Sequence, residues 1–321
     1  MKVALIGSNF SLKGYLPVIK KIKKLDLKII CSRKILNIKD DIKIKNIIYE
    51  KNWKNIFKEK IDLIILAVPP KVQEKILLYN IKYKKKIFFE KPISSNVNKS
   101  EKIFNLLKKN RIRSEINLTY LNHELFHKVK SIIQNNSLGP LINYDIRWSV
   151  VSYDFYNKVK SWKTDESKGG GIKNIFMTHI LSYCRFLFGK YEIQRFKIKK
   201  KKFFKKNFKS YISLDLVNHN KLNGKILLFI KKRGYQSHLI KINFLNGNIK
   251  LFTNSKDWTK DFILEIKKNK KQKSYKMINN KKFDDGRCFQ IHDGLKKFIN
   301  GIKSNNLRYC LDSEKNMRIL K

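Results

Sequence analysis

Lys91 stands between Glu90 and Pro92, directly after the apolar run Ile87, Phe88 and Phe89. A lysine in that setting can give or take a proton, because partial burial and neighbouring charge shift its affinity readily. Three lysines precede the run and Pro92 closes it, so it reads as a short buried strand. The Glu90–Lys91 pair then falls at the carboxyl edge of a sheet, where open α/β sheets bind their ligands. A second group follows the strand Lys2–Gly7 (KVALIG), which ends in Gly7 and leads through Asn9 into helical character. Strand, glycine turn and helix open a dinucleotide-binding unit whose amides receive a pyrophosphate. Here Asn9 and Leu12 occupy the places of the second and third glycines; Asn tolerates the left-handed region, whereas Leu12 would hold the helix off the strand.

Ser32, Arg33 and Lys34 follow the strand Leu27–Cys31. An NAD-specific site sets an acidic residue there, against the ribose 2′-hydroxyl. A hydroxyl and a guanidinium instead suit a 2′-phosphate, so the pattern points to NADP, with NAD as the alternative. His123-Glu124-Leu125-Phe126-His127 is a literal His-Glu-x-x-His, the zinc-binding helix of metalloproteases. A third ligand would have to be Asp145, in a predicted strand, or His179. No signature supports either, and the expectation is no metal.

The elements that must position these groups alternate through the first half. Ile44–Ile48 reads as a short third strand with a helical Trp53–Phe57 after it, and Ile61–Val68 (IDLIILAV) as a strand covered on both faces. Pro17 is expected to interrupt the first helix, which continues through Ile22 and Leu25. Helices are predicted from Val72 to Leu78 and from Lys99 to Lys109, and a sixth strand over Arg113–Leu118. This order implies a Rossmann-type, doubly wound parallel sheet over residues 1–119. Residues 120–321 then read as an α+β domain with a large, mostly antiparallel open sheet. Helices Leu125–Ile133 and Ile172–Phe188 flank the strand Leu141–Val151. A meander follows: Ile193–Ile198, Tyr211–Val217, Gly224–Ile230, His238–Phe244, Asn248–Phe252 and Phe262–Ile266. Phe289–Ile302 is a closing helix that can pack back on the first domain. An open sheet with an exposed face usually needs a partner, which points to a homo-oligomer, dimer or tetramer, through that sheet.

The 321 residues carry a net charge of +48 and are 42% hydrophobic, a folded and not a disordered composition. The lysines are scattered over every kind of element, as compositional drift produces, and the runs Lys199–Lys206 and Lys267–Lys273 read as solvated loops. Without a recognition module, charge alone does not make a specific nucleic-acid binder. Cys31, Cys184, Cys288 and Cys310 lie far apart and read as free thiols. No targeting segment or membrane-spanning run is recognised, so the expectation is a cytoplasmic protein without a membrane partner.

Five blocks together carry a resemblance: VALIGSNFSLKGYLPVI (Val3–Ile19), DLIILAVPP (Asp62–Pro70), IFFEKP (Ile87–Pro92), NSLGPLINYDIRW (Asn136–Trp148) and GGGIKNIFMTHILSYCRFLFG (Gly169–Gly189). Over nearly its whole length the chain resembles the glucose–fructose oxidoreductase / inositol dehydrogenase (Gfo/Idh/MocA) family of NAD(P)-dependent oxidoreductases. The resemblance implies hydride transfer on a sugar, sugar derivative or cyclitol, with Lys91 touching substrate and nicotinamide and sharing catalysis with His179. It implies a cofactor set of Gly7, Asn9, Phe10, Ser32, Arg33, Ala67, Pro69, Glu90 and Lys91. Substrate would meet Lys91, Tyr120, His123, Trp162, Lys163, Asn174 and His179, and the basic charge would suit a sugar carrying phosphate, nucleotide diphosphate or carboxylate. Two departures stand out. Counting four back from His179, where the family has an aspartate, gives Ile175, and Ser182 replaces a second common aspartate. A catalytically degenerate member, serving as a nucleotide- or sugar-binding or assembly subunit, is the alternative.

Overall fold

The computed structural model describes residues 1–33, 46–157, 159–203, 206–231, 234–257, 259–276 and 283–320. Ile44, Lys45 and Lys34 lie outside them, so the predicted start of the third strand and the end of the Ser-Arg-Lys stretch are not described. The chain forms two units, one of Met1–Leu118 with Phe283–Leu311 and one of Thr119–Lys282 with Asp312–Lys321.

In the first unit, strands β1 (Lys2–Ile6), β2 (Asp26–Cys31), β3 (Ile48–Glu50), β4 (Leu63–Leu66), β5 (Lys86–Glu90) and β6 (Ser114–Asn117) form one sheet in the order β3-β2-β1-β4-β5-β6 among the described residues. Every neighbouring pair is parallel. The residues of β4 and the Ile87–Phe89 run are fully buried, as strands covered on both faces must be. Strand order reverses between β1 and β4, which makes their carboxyl ends the crevice of the sheet. Helices Pro70–Tyr83 and Val97–Lys109 follow β4 and β5. Pro17 does not interrupt a helix. It lies at the start of Leu16–Lys21, just after a π turn over Ser11–Tyr15, so the wider turn absorbs the missing N–H. That helix ends at Lys21, short of Leu25.

A late segment completes this unit. Helix Arg287–Ile299 buries Cys288, Ile291, Leu295 and Phe298 in one core with Val3, Leu5, Val18, Ile19 and Phe88. The chain then turns through Ser304, whose hydroxyl donates to the buried Glu115 carboxylate of β6, and enters helix Asn306–Asn316, which the sequence reading missed. Burial pushes the Glu115 carboxyl up to about 7, against bonds from Ser304, the Ile116 amide and Asn306 that pull it down. The folded state therefore binds this proton more tightly, so stability is full below the unfolded value and is lost as pH rises through about 7. Between about pH 4.5 and pH 8 the wild type should lose about 3 kcal/mol relative to Glu115→Gln in denaturant unfolding. Equal slopes in the two proteins would remove Glu115 as the cause.

In the second unit, β7 (Leu141–Val151), β8 (Tyr191–Phe203), β9 (Lys206–Asn218), β10 (Asn223–Lys231), β11 (Ser237–Phe244), β12 (Gly247–Thr253), β13 (Ile263–Lys268) and β14 (Lys271–Lys276) form a sheet in the order β14-β13-β12-β11-β7-β10-β9-β8. It is mostly antiparallel, but β7 inserts between β10 and β11 and runs parallel to β10. The lysine stretches are not loops. Lys199–Lys202 and Lys206 lie in the β8–β9 hairpin and Lys267, Lys268, Lys271 and Lys273 in β13–β14, because ladder hydrogen bonds outweigh the low strand propensity of lysine. Helices Glu124–Gln134 and Thr178–Phe188 belong to the same unit, with Phe188 stacked on Tyr144 of β7 at 3.9 Å.

Candidate functional site

The first unit gathers most of the cofactor candidates at the carboxyl edge of its sheet. Gly7 follows β1 with φ +141°, and a side chain there would collide with the Ala67 carbonyl after β4. Only glycine fits so close a passage between the two central strands. Gly7→Ala should cost roughly 2 kcal/mol through backbone strain and lower dinucleotide affinity, checked by unfolding and by titration. Asn9 and Phe10 lead into the π turn, in which the hydroxyl of Ser11 is buried without a hydrogen-bond partner among the described residues. Ser32 is buried after β2, its amide bonded to the Glu50 carbonyl, and Arg33 is exposed beside it. Pro69 caps helix Pro70–Tyr83.

Glu90, at the end of β5, is the most constrained polar group on this edge. Its Oε1 accepts from the Tyr15 hydroxyl at 2.5 Å and from Asn117 Nδ2 at 2.8 Å. Gln73 Nε2 donates to the Glu90 carbonyl at 2.7 Å and to the carbonyls of Pro92 and Ile93, which ties down the backbone on both sides of Lys91. The Lys91–Pro92 bond is cis. Burial pushes the Glu90 carboxyl above its ordinary range, while Asn117, Tyr15, Lys91 and Arg287 pull it back. Tyr15 is held well above its ordinary range, by burial and then by the adjacent carboxylate. Lys91 is thus delivered at the strand end by a half-buried, hydrogen-bonded carboxylate and a clamped backbone. Tyr15, Gln73, Asn117 and Arg287 were absent from the sequence reading. Asn117, a polar residue closing a buried strand on this edge, was findable by the logic that singled out Glu90.

The second unit carries the remaining candidates. His179 lies on helix Thr178–Phe188, 6% exposed, with its ring edge-on to Tyr120 at 5.4 Å. Tyr120 is 1% exposed and is also ringed by Phe126, Trp148, Tyr183, His238 and Phe262, so it is placed as the hub of an aromatic core. His123 caps helix Glu124–Gln134, accepting the Leu125 amide on Nδ1 at 3.2 Å, and His127 Nε2 pairs with the Leu121 carbonyl. The His-Glu-x-x-His stretch is thereby explained as a helix start. Asp145 is taken up by Arg147, and no group of three His, Cys, Asp or Glu among the described residues could hold a metal ion.

Trp162 and Lys163 sit in the short helical turn Trp162–Thr164, where Ser161 and Thr164 cap each other and Lys163 pairs with Asp154. Gly170 packs directly on the Trp162 and Lys163 carbonyls, which explains the glycine stretch. Before His179 the chain makes a second π turn, Lys173–Met177, in which the Thr178 amide reaches back five residues to the Lys173 carbonyl. The count of four back to Ile175 assumed an α geometry that the chain lacks there. The widened turn changes the angular spacing before His179, and Asn174 and Ile175 both lie within it. The Asn174 side chain donates to the Gly170 carbonyl at 3.1 Å.

Two family models match the chain. Residues 1–117 match the Gfo/Idh/MocA oxidoreductase family's NAD-binding Rossmann fold, and residues 130–313 match its C-terminal alpha/beta domain. An uncharacterised oxidoreductase of Synechocystis is 20% identical over 191 residues, which cover 59% of this chain and 52% of that protein. The chain thus spans about half the length of this curated relative. Among solved structures, a 3-ketoreductase from Actinomadura kijaniata, crystallised with NADP and TDP-benzene, superposes with a TM-score of 0.80 at 11% identity, over 98% of this chain and 94% of that one. Levoglucosan dehydrogenase in complex with NADH gives 0.81 at 14%, over 100% and 96%. An Agrobacterium radiobacter oxidoreductase with NAD+, L-tartaric acid and magnesium gives 0.78 at 14%, over 98% and 93%. At these identities the likeness establishes the fold.

Proposed function

The chain belongs to the Gfo/Idh/MocA oxidoreductase family, and we propose that it is a dinucleotide-dependent dehydrogenase or reductase of a sugar, sugar derivative or cyclitol. The observation that carries this reading is the delivery of Lys91 at the end of β5 by the half-buried, hydrogen-bonded Glu90 and the Gln73 clamp, on the same sheet edge as the Gly7 turn. The residues present fit a dinucleotide. Gly7 gives close backbone passage, and the partnerless Ser11 hydroxyl is a polar atom within that turn. Ser32 and Arg33 would hold the adenosine ribose and favour its 2′-phosphate, so NADP is preferred over NAD. A bound nicotinamide supplies or accepts the hydride. Lys91 would give its proton to the substrate oxygen in reduction and take it back in oxidation, with His179 as the second proton-handling residue and Asn174 and Trp162 on the substrate's hydroxyls.

The assembly reading is also a proposal. Leu227, Leu239, Phe252 and Ile263, with Arg147, form one cross-strand row on the half-exposed face of the second sheet. A homodimer or tetramer through that face, in the cytoplasm, would cover it. No helix of the described residues is long and apolar enough to cross a membrane.

The test is fluorescence titration with NADPH and NADH in parallel, followed by a turnover screen of sugars and cyclitols. Tight NADPH binding that Arg33→Ala weakens, with NADH weaker, supports the reading. Binding of neither at millimolar concentration defeats it and leaves the non-catalytic reading, which Leu12 and Ile175 favour.

A further inference from the structure

Helix Arg287–Ile299 brings its first residue against the glycine turn. The Arg287 guanidinium carbon stands 4.2 Å from the centroid of the Phe10 ring, and Phe10 caps the π turn Ser11–Tyr15. The helix is fixed there by Cys288, whose thiol donates to the Gly14 carbonyl at 3.3 Å, and by the shared core beneath. Asp285 holds the guanidinium fork through Nε to Oδ1 at 2.9 Å and Nη2 to Oδ2 at 2.5 Å. The charge is felt at both Glu90 and the Tyr15 hydroxyl. An oriented cation therefore lies against the Gly7 turn, and its charge reaches the end of β5. One helical turn further on, Gln290 is 1% exposed and neither atom of its amide has a hydrogen-bond partner among the described residues.

The turn beside this cation is chemically weak for a pyrophosphate. Asn9 and Leu12 replace two glycines that ordinarily let the backbone approach the phosphates closely. An arginine fork compensates for lost backbone approach, because its hydrogen bonds to phosphate are charge-assisted and directional.

We propose that Arg287 is a cofactor-phosphate residue: oriented by Asp285 and supported on the Phe10 ring, its guanidinium binds the pyrophosphate of a dinucleotide on the Gly7 turn. The inference rests on the dinucleotide reading above. Asp285 fixes the plane of the fork, so its loss weakens binding indirectly.

The experiment is calorimetric titration of wild type, Arg287→Met and Arg287→Lys with NADPH, NADH and adenosine 2′-monophosphate, which carries neither phosphate of the pyrophosphate. Methionine keeps an apolar contact with Phe10 and removes the charge. It should weaken NADPH and NADH by roughly tenfold or more, with lysine intermediate, while adenosine 2′-monophosphate binds as to wild type. If all three ligands weaken together, or if Arg287→Met binds both dinucleotides as wild type does, the proposal is overturned while the dinucleotide reading stands. Wild type that binds neither dinucleotide overturns both. Thermal unfolding of each variant shows whether a loss of binding is a loss of fold, and Arg287→Lys tests the charge in a folded background if Arg287→Met is unstable.

Discussion

Lys91→Met should lower kcat by about a hundred- to ten-thousand-fold while dinucleotide affinity stays within roughly threefold, the range a positioned general acid or base contributes. The expectation follows from how the lysine is delivered. Gln73 ties the backbone carbonyls on either side of it, and Tyr15 and Asn117 hold the half-buried Glu90, so the substitution leaves the backbone at the strand end in place. Arginine should not rescue, because a guanidinium stays protonated throughout the working range and cannot accept the substrate proton. The check is steady-state turnover with the substrate that the wild-type screen yields, beside the same NADPH titration. A Lys91→Met protein that turns over within threefold of wild type would take the proton step away from Lys91. A variant that loses dinucleotide binding as well would make the residue a cofactor ligand first and a proton carrier second.

The legible parts of this chain were those where one physical signal decides. The run Leu63–Leu66 and the Ile87–Phe89 stretch are continuous and apolar because helices cover both faces of the sheet, and both are fully buried. The strand Leu141–Val151 was read with its observed limits because its inner residues Tyr144, Ile146 and Trp148 alternate with the half-exposed Asn143 and Asp145 and the exposed Arg147, before Ser149 and Val150 are both buried. Alternation names a face and not a neighbour, which is why the parallel pairing of β7 with β10 was invisible. The two π turns were equally hidden, since one extra residue in a helical turn leaves no mark on apolar spacing. The turn before His179 removes the α spacing on which the count of four back to Ile175 rested. Glu90 and Lys91 announced themselves as charge after a buried strand. Tyr15 and Arg287 did not, because what makes them part of the edge is a hydroxyl reaching Glu90 and a helix returning from the far end of the chain.

Acid should destabilise the second unit through His238, by roughly 2 to 3 kcal/mol between about pH 7 and pH 4.5. His238 of β11 faces Trp148 of β7 across the strand pair and stacks on it at 4.4 Å with the rings nearly parallel. Tyr120 and Phe262 close around the ring edge-on, leaving it 1% exposed. Its Nε2 pairs with the Tyr183 hydroxyl at 2.9 Å, and its Nδ1 has no hydrogen-bond partner among the described residues. A proton on Nδ1 would leave a buried cation with nothing to accept from it, and burial accordingly pushes the imidazole down to about 3. Below the ordinary histidine value the unfolded chain takes up a proton that the folded chain refuses. Stability is therefore full above about 6.5 and falls as pH drops toward 3. This slope is opposite in sign to that of Glu115 in the first unit, so the two units should part company at either extreme of pH. The double variant His238→Phe with Tyr183→Phe keeps the stack and strands no hydroxyl, and hydrogen exchange reads each unit by itself. The variant's second unit should be nearly indifferent to this pH change, whereas the wild type's opens more readily in acid. The same acid sensitivity in the variant would shift the cause to the general repulsion of a chain carrying +48 charges.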